Sequence, residues 1–121
     1  MKVKRLFKSF YNAWQGIKYV FKQEQNFKIQ LLISILVLLL IWYLPLSKGE
    51  MIVVILLIFI VLILELMNTA FEKLADVLKP RLFYQIGIVK DIMAAMVFLS
   101  SIGAIIIGLI IFWPYLFELF Y

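Results

Sequence analysis

Glu65-Leu66-Met67-Asn68-Thr69-Ala70-Phe71-Glu72, with Asp76 beyond it and Lys90-Asp91 after a short polar loop, is the stretch that decides how this chain is built. Before it, Met51 to Leu64 is an uninterrupted apolar run of 14 residues. At 1.5 Å per residue that run covers about 21 Å, short of the roughly 30 Å hydrocarbon core of a bilayer. A helix starting at Met51 therefore carries Glu65 and Asn68 to membrane depth before it emerges. At 100° per residue, Glu65, Asn68, Glu72 and Asp76 fall within about 80° of one helix face. An unpaired charge in that setting costs several kcal/mol, so intramembrane carboxylates mark functional sites. Asp76 alone reads as the solvated face of a juxtamembrane helix. Glu65, Asn68 and Glu72 together read as a functional cluster.

Of the 121 residues, 66% are hydrophobic, and the mean hydropathy is +1.09. Soluble domains hold about 45–50% apolar residues. The composition predicts an all-α membrane protein, a single domain over residues 1–121 with room for about three spans. The start is basic and amphipathic, with no signal-peptide pattern of apolar core and small-residue cleavage site. Over residues 2–22, Val3, Phe7, Phe10, Trp14, Ile17 and Phe21 lie within about 40° of one line on a helical wheel. Arg5, Lys8, Asn12 and Gln15 lie opposite. That pattern predicts a helix in the membrane interface. Spans are expected at about 29–46, 51–71 and 92–112. Trp42-Tyr43 and Trp113-Pro114-Tyr115 mark their far ends. Pro45 and Ser47-Lys48-Gly49-Glu50 form a tight turn, and Pro80 closes the helix after the second span. Ser100, Ala104 and Gly108 make a small-residue stripe suited to close helix packing.

Charge gives the orientation. Residues 1–28 carry seven Lys or Arg, the 72–91 segment four, the 44–50 turn one and the C-terminal tail none. With positive charge inside, the N-terminus is cytoplasmic. Glu24, Glu65, Asn68, Glu72, Asp76, Lys90 and Asp91 then gather at one membrane level on the cytoplasmic face.

The chain has no Cys and no His. Thiolate chemistry, Fe–S clusters and the commonest general base are excluded. Acid–base work falls to carboxylates or Lys, and any metal is a hard, oxygen-seeking one such as Mg²⁺. Two carboxylates can hold Mg²⁺ on a nucleotide, Lys90 can neutralise phosphate, and a third carboxylate can take a proton from an alcohol. The five glycines are scattered and form neither a Walker A sequence nor GxGxxG. The interfacial position suits a lipid alcohol, and no nucleic-acid partner is expected. Two other classes compete: an ion-coupled transporter with Glu65 as its ion site, and a non-catalytic scaffold. A short chain without an inverted repeat disfavours the first. The second leaves Glu65 and Asn68 at membrane depth unexplained.

The spacing of Glu65-Leu66-Met67-Asn68-Thr69-Ala70-Phe71-Glu72, Asp76 and Lys90-Asp91 resembles the bacterial integral-membrane diacylglycerol kinase family. Ala13-Trp14-Gln15-Gly16 and Glu24-Gln25-Asn26-Phe27 fit the same family, and the resemblance covers nearly the whole chain. Asn26-Phe27-Lys28-Ile29-Gln30 and the ending Ile107 to Pro114 look like its Gram-positive branch, best known for phosphorylating undecaprenol. The resemblance implies a homotrimer of three-span subunits with active sites shared between neighbours. It implies ATP with Mg²⁺ and a membrane lipid alcohol, undecaprenol or else diacylglycerol. By position, it makes Glu65 the catalytic base and Asn68 the amide that orders it. Glu24 and Glu72 become the carboxylates that hold Mg–ATP. Lys90, Asp91, Arg5 and Asn12 become nucleotide contacts, and Glu65, Trp14 and Gln30 face the lipid. Phe71 replaces the usual Ile of the motif. Ile88 stands where a basic residue is common, which weakens ATP binding unless Lys79 or Arg81 compensates. The 79–85 loop lacks the family pattern.

Overall fold

The computed structural model describes residues 2–78 and 83–121, which form four helices: α1 Lys2–Gln23, α2 Gln25–Tyr43, α3 Lys48–Leu78 and α4 Phe83–Phe120. Three of them, α2, α3 and α4, are long and apolar enough to cross a membrane. Pro80 and the proposed compensating residues Lys79 and Arg81 lie outside the described residues.

Each boundary has a local cause. Glu24 separates α1 from α2 by stepping into extended backbone (φ −114°, ψ 114°). Its N–H still donates to the Val20 carbonyl at 2.8 Å, closing the last turn of α1. α2 stops at Tyr43, three residues before the expected end of the span. Leu44 is extended (φ −87°, ψ 148°) because the Pro45 ring disfavours helical geometry in the residue before it. The Ser47 to Glu50 turn is a capping box. Glu50 N–H donates to Ser47 Oγ at 3.2 Å, and Ser47 N–H donates to Glu50 Oε1 at 2.9 Å. The Tyr115 hydroxyl of α4 donates to the same Glu50 oxygen, tying the start of α3 to the end of α4.

α4 differs from expectation at both ends. It begins at Phe83, so Lys90 and Asp91 sit about two turns inside a helix rather than at the end of a loop. It also runs through Pro114 to Phe120 instead of stopping at 112. Pro114 cannot donate to the Ile110 carbonyl and its ring crowds that carbonyl, yet the apolar residues on both sides favour continued helix.

α3 is central. α4 packs along it, α2 packs on it less extensively, and α1 touches α2 and α3 only. At the end away from Glu65, Ile41, Leu44, Leu46, Val54 and Phe112 form a buried cluster. Between α2, α3 and α4 lies an apolar groove of about 400 Å³. The small residues of α4 act differently from a packing stripe. The Ser100 hydroxyl donates to the Val97 carbonyl of its own helix at 2.8 Å. Ser101, Ala104 and Gly108 line the groove, and a Cβ built on Gly108 meets nothing within 4 Å. Within one chain these residues leave space rather than draw helices together. The apolar stripe of α1 is uncovered, with Phe7, Phe10 and Trp14 at least 60% exposed, and Val20 is its buried residue.

Candidate active site

The polar face of α3 is graded by depth. Glu65 is 2% exposed, Asn68 and Glu72 are half-buried, and Asp76 is exposed. Two neighbours on other turns and helices fix Glu65. Gln30 Nε2 of α2 donates to Glu65 Oε2 in a long contact of 3.5 Å. The buried Thr69 hydroxyl donates to the Glu65 carbonyl at 3.1 Å, so the backbone at Glu65 carries an extra bond one turn later. Gln30 is held in turn, because the Ser34 hydroxyl donates to its carbonyl at 2.7 Å. Gln30 Oε1 is buried and has no partner. Since a carboxylate only accepts hydrogen bonds, Nε2 must be the atom turned to Glu65, which leaves Oε1 as a free acceptor.

The resemblance implied that Asn68 orders Glu65; here its amide is turned to Glu72. Its Nδ2 donates to Glu72 Oε1 at 3.3 Å, one turn down the same face. The spacing from Asn68 to Glu72 is the i,i+4 pairing of neighbours on a helix, whereas Glu65 lies a turn the other way. The side chain that reaches the Glu65 carboxylate is Gln30. Thr69 escaped the sequence reading, although a Thr in a helix commonly returns its hydroxyl to the carbonyl four residues back.

Glu24 is half-buried at the α1–α2 junction, and no hydrogen bond from its side chain caps α2. Glu24 and Glu72 both set negative charge against Glu65. Three of the expected site carboxylates are thus brought together, two from α3 and one from the α1–α2 junction. Among the described residues, no group of three or more His, Cys, Asp or Glu is arranged to hold a metal ion by itself. The chemistry of the donors nonetheless fits Mg²⁺, which takes one or two carboxylates and completes its shell with phosphate oxygens and water. Glu24 and Glu72 are the pair that would hold it.

Lys90 and Asp91 line a second cavity of about 440 Å³ with Ala75, Asp76, Tyr84 and Ile88. Lys90 is half-buried there and Asp91 exposed. This cavity adjoins the emerging end of the polar face of α3. Arg5 and Asn12 are exposed on α1, which does not pack against α4. One chain therefore does not unite them with Lys90 and Asp91. On a helical wheel Arg5 and Asn12 share a face with Tyr19, within about 40°. Tyr19 meets α3, with Lys73 Nζ 5.4 Å from its ring centre. Trp14 lies on the opposite, apolar stripe and is 60% exposed, away from Glu65. Lys73 and Tyr19 were not singled out in the sequence, where neither stands in a motif.

Comparison with known proteins bears on what this arrangement belongs to. Residues 11–112 match the family model described as prokaryotic diacylglycerol kinase. The chain is 34% identical over 112 residues to the diacylglycerol kinase of Synechocystis sp., covering 92% of this chain and 64% of that protein. It is also 34% identical over 110 residues to the undecaprenol kinase of Bacillus subtilis, covering 91% of this chain and 89% of that protein. The chain thus spans just under two thirds of the cyanobacterial relative and most of the bacillar one. Both relatives are named as lipid kinases, and with the match running from α1 through Phe112, the chain belongs to the prokaryotic diacylglycerol kinase family.

Proposed function

We propose that this protein is an ATP-dependent lipid kinase at the cytoplasmic face of the cell membrane, with undecaprenol as its acceptor. The observation that carries this reading is a buried carboxylate at the head of an apolar groove. Gln30 both bonds Glu65 and lines the groove, so a chain lying in the groove would bring its terminal hydroxyl to Glu65. The alcohol O–H donates to Glu65, which takes the proton as the oxygen attacks the γ-phosphorus of ATP. The bond from that phosphorus to the bridging oxygen breaks, and ADP leaves. Gln30 Nε2 orients Glu65. Asn68 steadies Glu72. Lys90 offsets phosphate charge, while Asp91, Arg5 and Asn12 make further nucleotide contacts. Mg²⁺ held by Glu24 and Glu72 would neutralise charge on the β- and γ-phosphates.

A long apolar groove suits the unbroken hydrocarbon of a polyprenol. The name of the bacillar relative supports the same acceptor, and that of the cyanobacterial relative supports diacylglycerol as the alternative. A homotrimer would supply the walls one chain lacks. Only 6–11% of the span windows is buried within the chain. A neighbour could also bring Arg5 and Asn12 of one α1 toward Lys90 and Asp91 of another subunit.

The test is phosphate transfer from ATP by the purified protein in Mg²⁺-containing mixed micelles, with undecaprenol and diacylglycerol side by side. A preference for undecaprenol is expected. A preference for diacylglycerol keeps the chemistry and overturns the acceptor. Transfer to neither, by protein shown to be folded, overturns the kinase.

A further inference from the structure

Glu24 has no local anchor. It sits in extended backbone between two helices, and its side chain caps neither. Where its carboxylate points is therefore set by how the last turns of α1 seat on the bundle. The first four turns of α1 offer little help, since Phe7, Phe10 and Trp14 face away from the chain. Docking is concentrated near the C-terminal end. Val20 is buried there, Lys28 Nζ stands 5.6 Å from the Phe21 ring, and Lys73 Nζ stands 5.4 Å from the Tyr19 ring. The last of these is the contact that reaches α3. Lys73 immediately follows Glu72 and lies within electrostatic reach of Asp76 and Glu24. It thus adds a cation where Glu24, Glu65, Glu72 and Asp76 would otherwise repel one another.

We propose that Lys73 is a positioning residue: held against the Tyr19 ring, its ammonium seats the last turns of α1 on α3 and so keeps Glu24 beside Glu65 and Glu72. The role given to Glu24 rests on the lipid-kinase reading; the seating of α1 does not.

The test uses the full chain in lipid–detergent micelles with three variants, Lys73→Met, Tyr19→Leu and Lys73→Arg. The first readout is backbone hydrogen exchange over residues 19–24 without nucleotide. The second is equilibrium binding of Mn²⁺ with a non-hydrolysable ATP analogue, and the third is the split between KM for ATP and kcat. An exposed cation–π contact shifts an equilibrium by about two- to fivefold, and loss of the Lys73 charge adds to that in its own variant. Lys73→Met and Tyr19→Leu should both speed exchange and both weaken Mn²⁺–nucleotide binding and raise KM by about fivefold, with kcat little changed. Lys73→Arg should restore all three, because guanidinium also stacks on an aromatic face. Unchanged exchange and binding in both disrupting variants overturns the proposal. So does weakened binding in Lys73→Met with a normal Tyr19→Leu, which would make Lys73 a direct phosphate contact. If wild-type protein transfers phosphate to no lipid, the kinase reading fails separately, and the exchange result alone decides whether the pair seats α1.

Discussion

Replacing Glu65 with Gln is the sharpest perturbation of this site. The two side chains are nearly isosteric, and the position is 2% exposed, so the change alters charge with little change in volume. Gln30 Nε2, now 3.5 Å from Glu65 Oε2, keeps an acceptor in the new carbonyl oxygen. Thr69 bonds the Glu65 backbone, not its side chain, and is untouched. The fold should therefore hold or gain stability, because a charge leaves a site shielded from water while Glu24 and Glu72 still press negative potential on it. Chemistry should suffer. A positioned general base contributes about 10²–10⁴-fold, which is about 2.7–5.4 kcal/mol of barrier. The expected result is a kcat for phosphate transfer to undecaprenol at least about 100-fold lower, with a KM for ATP within about threefold of wild type. The assay is radiolabelled phosphate transfer in mixed micelles, with thermal unfolding and size-exclusion behaviour recorded on the same samples. A Glu65→Gln protein with kcat within tenfold of wild type would falsify the assignment of Glu65 as the base.

Four other outcomes follow from the same geometry. Gln30→Leu removes the side-chain donor to Glu65 and the free acceptor at the head of the groove, and should lower kcat/KM for the lipid by about 5- to 100-fold while ATP binding is unaffected; an unchanged lipid kcat/KM would refute its role. Gly108→Leu should fold, since a Cβ there meets nothing within 4 Å, but its side chain enters the roughly 400 Å³ groove. Lipid KM should rise with ATP KM constant, and a normal lipid KM would show that the acceptor lies elsewhere. Ser47→Ala breaks the capping box at the far end of the bundle and should cost about 1 kcal/mol of stability, read as a lower Tm, with kcat of the folded enzyme unchanged. Chelating Mg²⁺ should abolish transfer, and Glu24→Gln should raise the Mg²⁺ concentration needed to restore it; equal Mg²⁺ titrations for Glu24→Gln and wild type would remove Glu24 from the metal site.

How far the sequence could be read depended on the range of the interaction. The expectation that Glu65 lies at membrane depth came from a 14-residue apolar run and the rise of a helix, both local quantities. The exposure of Asp76 at the emerging end of α3 followed from the same count. The bond from Gln30 to Glu65 spans 35 residues and depends on the register of α2 against α3, which no local pattern encodes. Resemblance named Gln30 as a lipid contact, but not as the partner of Glu65. The Ser47–Glu50 capping box was legible as Ser-x-x-Glu before an apolar run, yet the neighbouring Pro45 and Gly49 directed attention to a turn. Pro114 misled for the opposite reason. Its helix-breaking tendency is better tolerated in an apolar setting, where the backbone has few partners outside the helix. Tyr19 and Lys73 meet only because α1 folds back onto α3, and the wheel that sorted α1 into polar and apolar faces gave no sign of it.

Under the proposed function, the graded burial of one helix face would let similar residues take different roles. Glu65, Glu72 and Asp76 are carboxylates within about 80° on α3, separated chiefly by distance along the axis. From Glu65 to Asp76 is eleven residues, or about 16 Å, roughly half a hydrocarbon core. At the inner end, water is excluded and a lipid hydroxyl can arrive from the groove, so a carboxylate there can accept a proton from an alcohol. Glu72, about two turns further out and half-buried, meets Asn68 on one side and solvent on the other, which suits a ligand for a hydrated cation. Asp76 lies in water beside the cavity of Lys90 and Asp91, where a soluble nucleotide would enter. A single straight helix crossing the interface can therefore present a lipid acceptor and a water-soluble donor to one another without either substrate leaving its own phase. Moving the Glu65 carboxylate one turn outward, by exchanging Glu65 with the residue at Thr69, should abolish transfer even though the chain would keep its composition and its helix, because the base would no longer stand beside Gln30 at the head of the groove. Activity retained in that double variant would show that depth along α3 does not select the base.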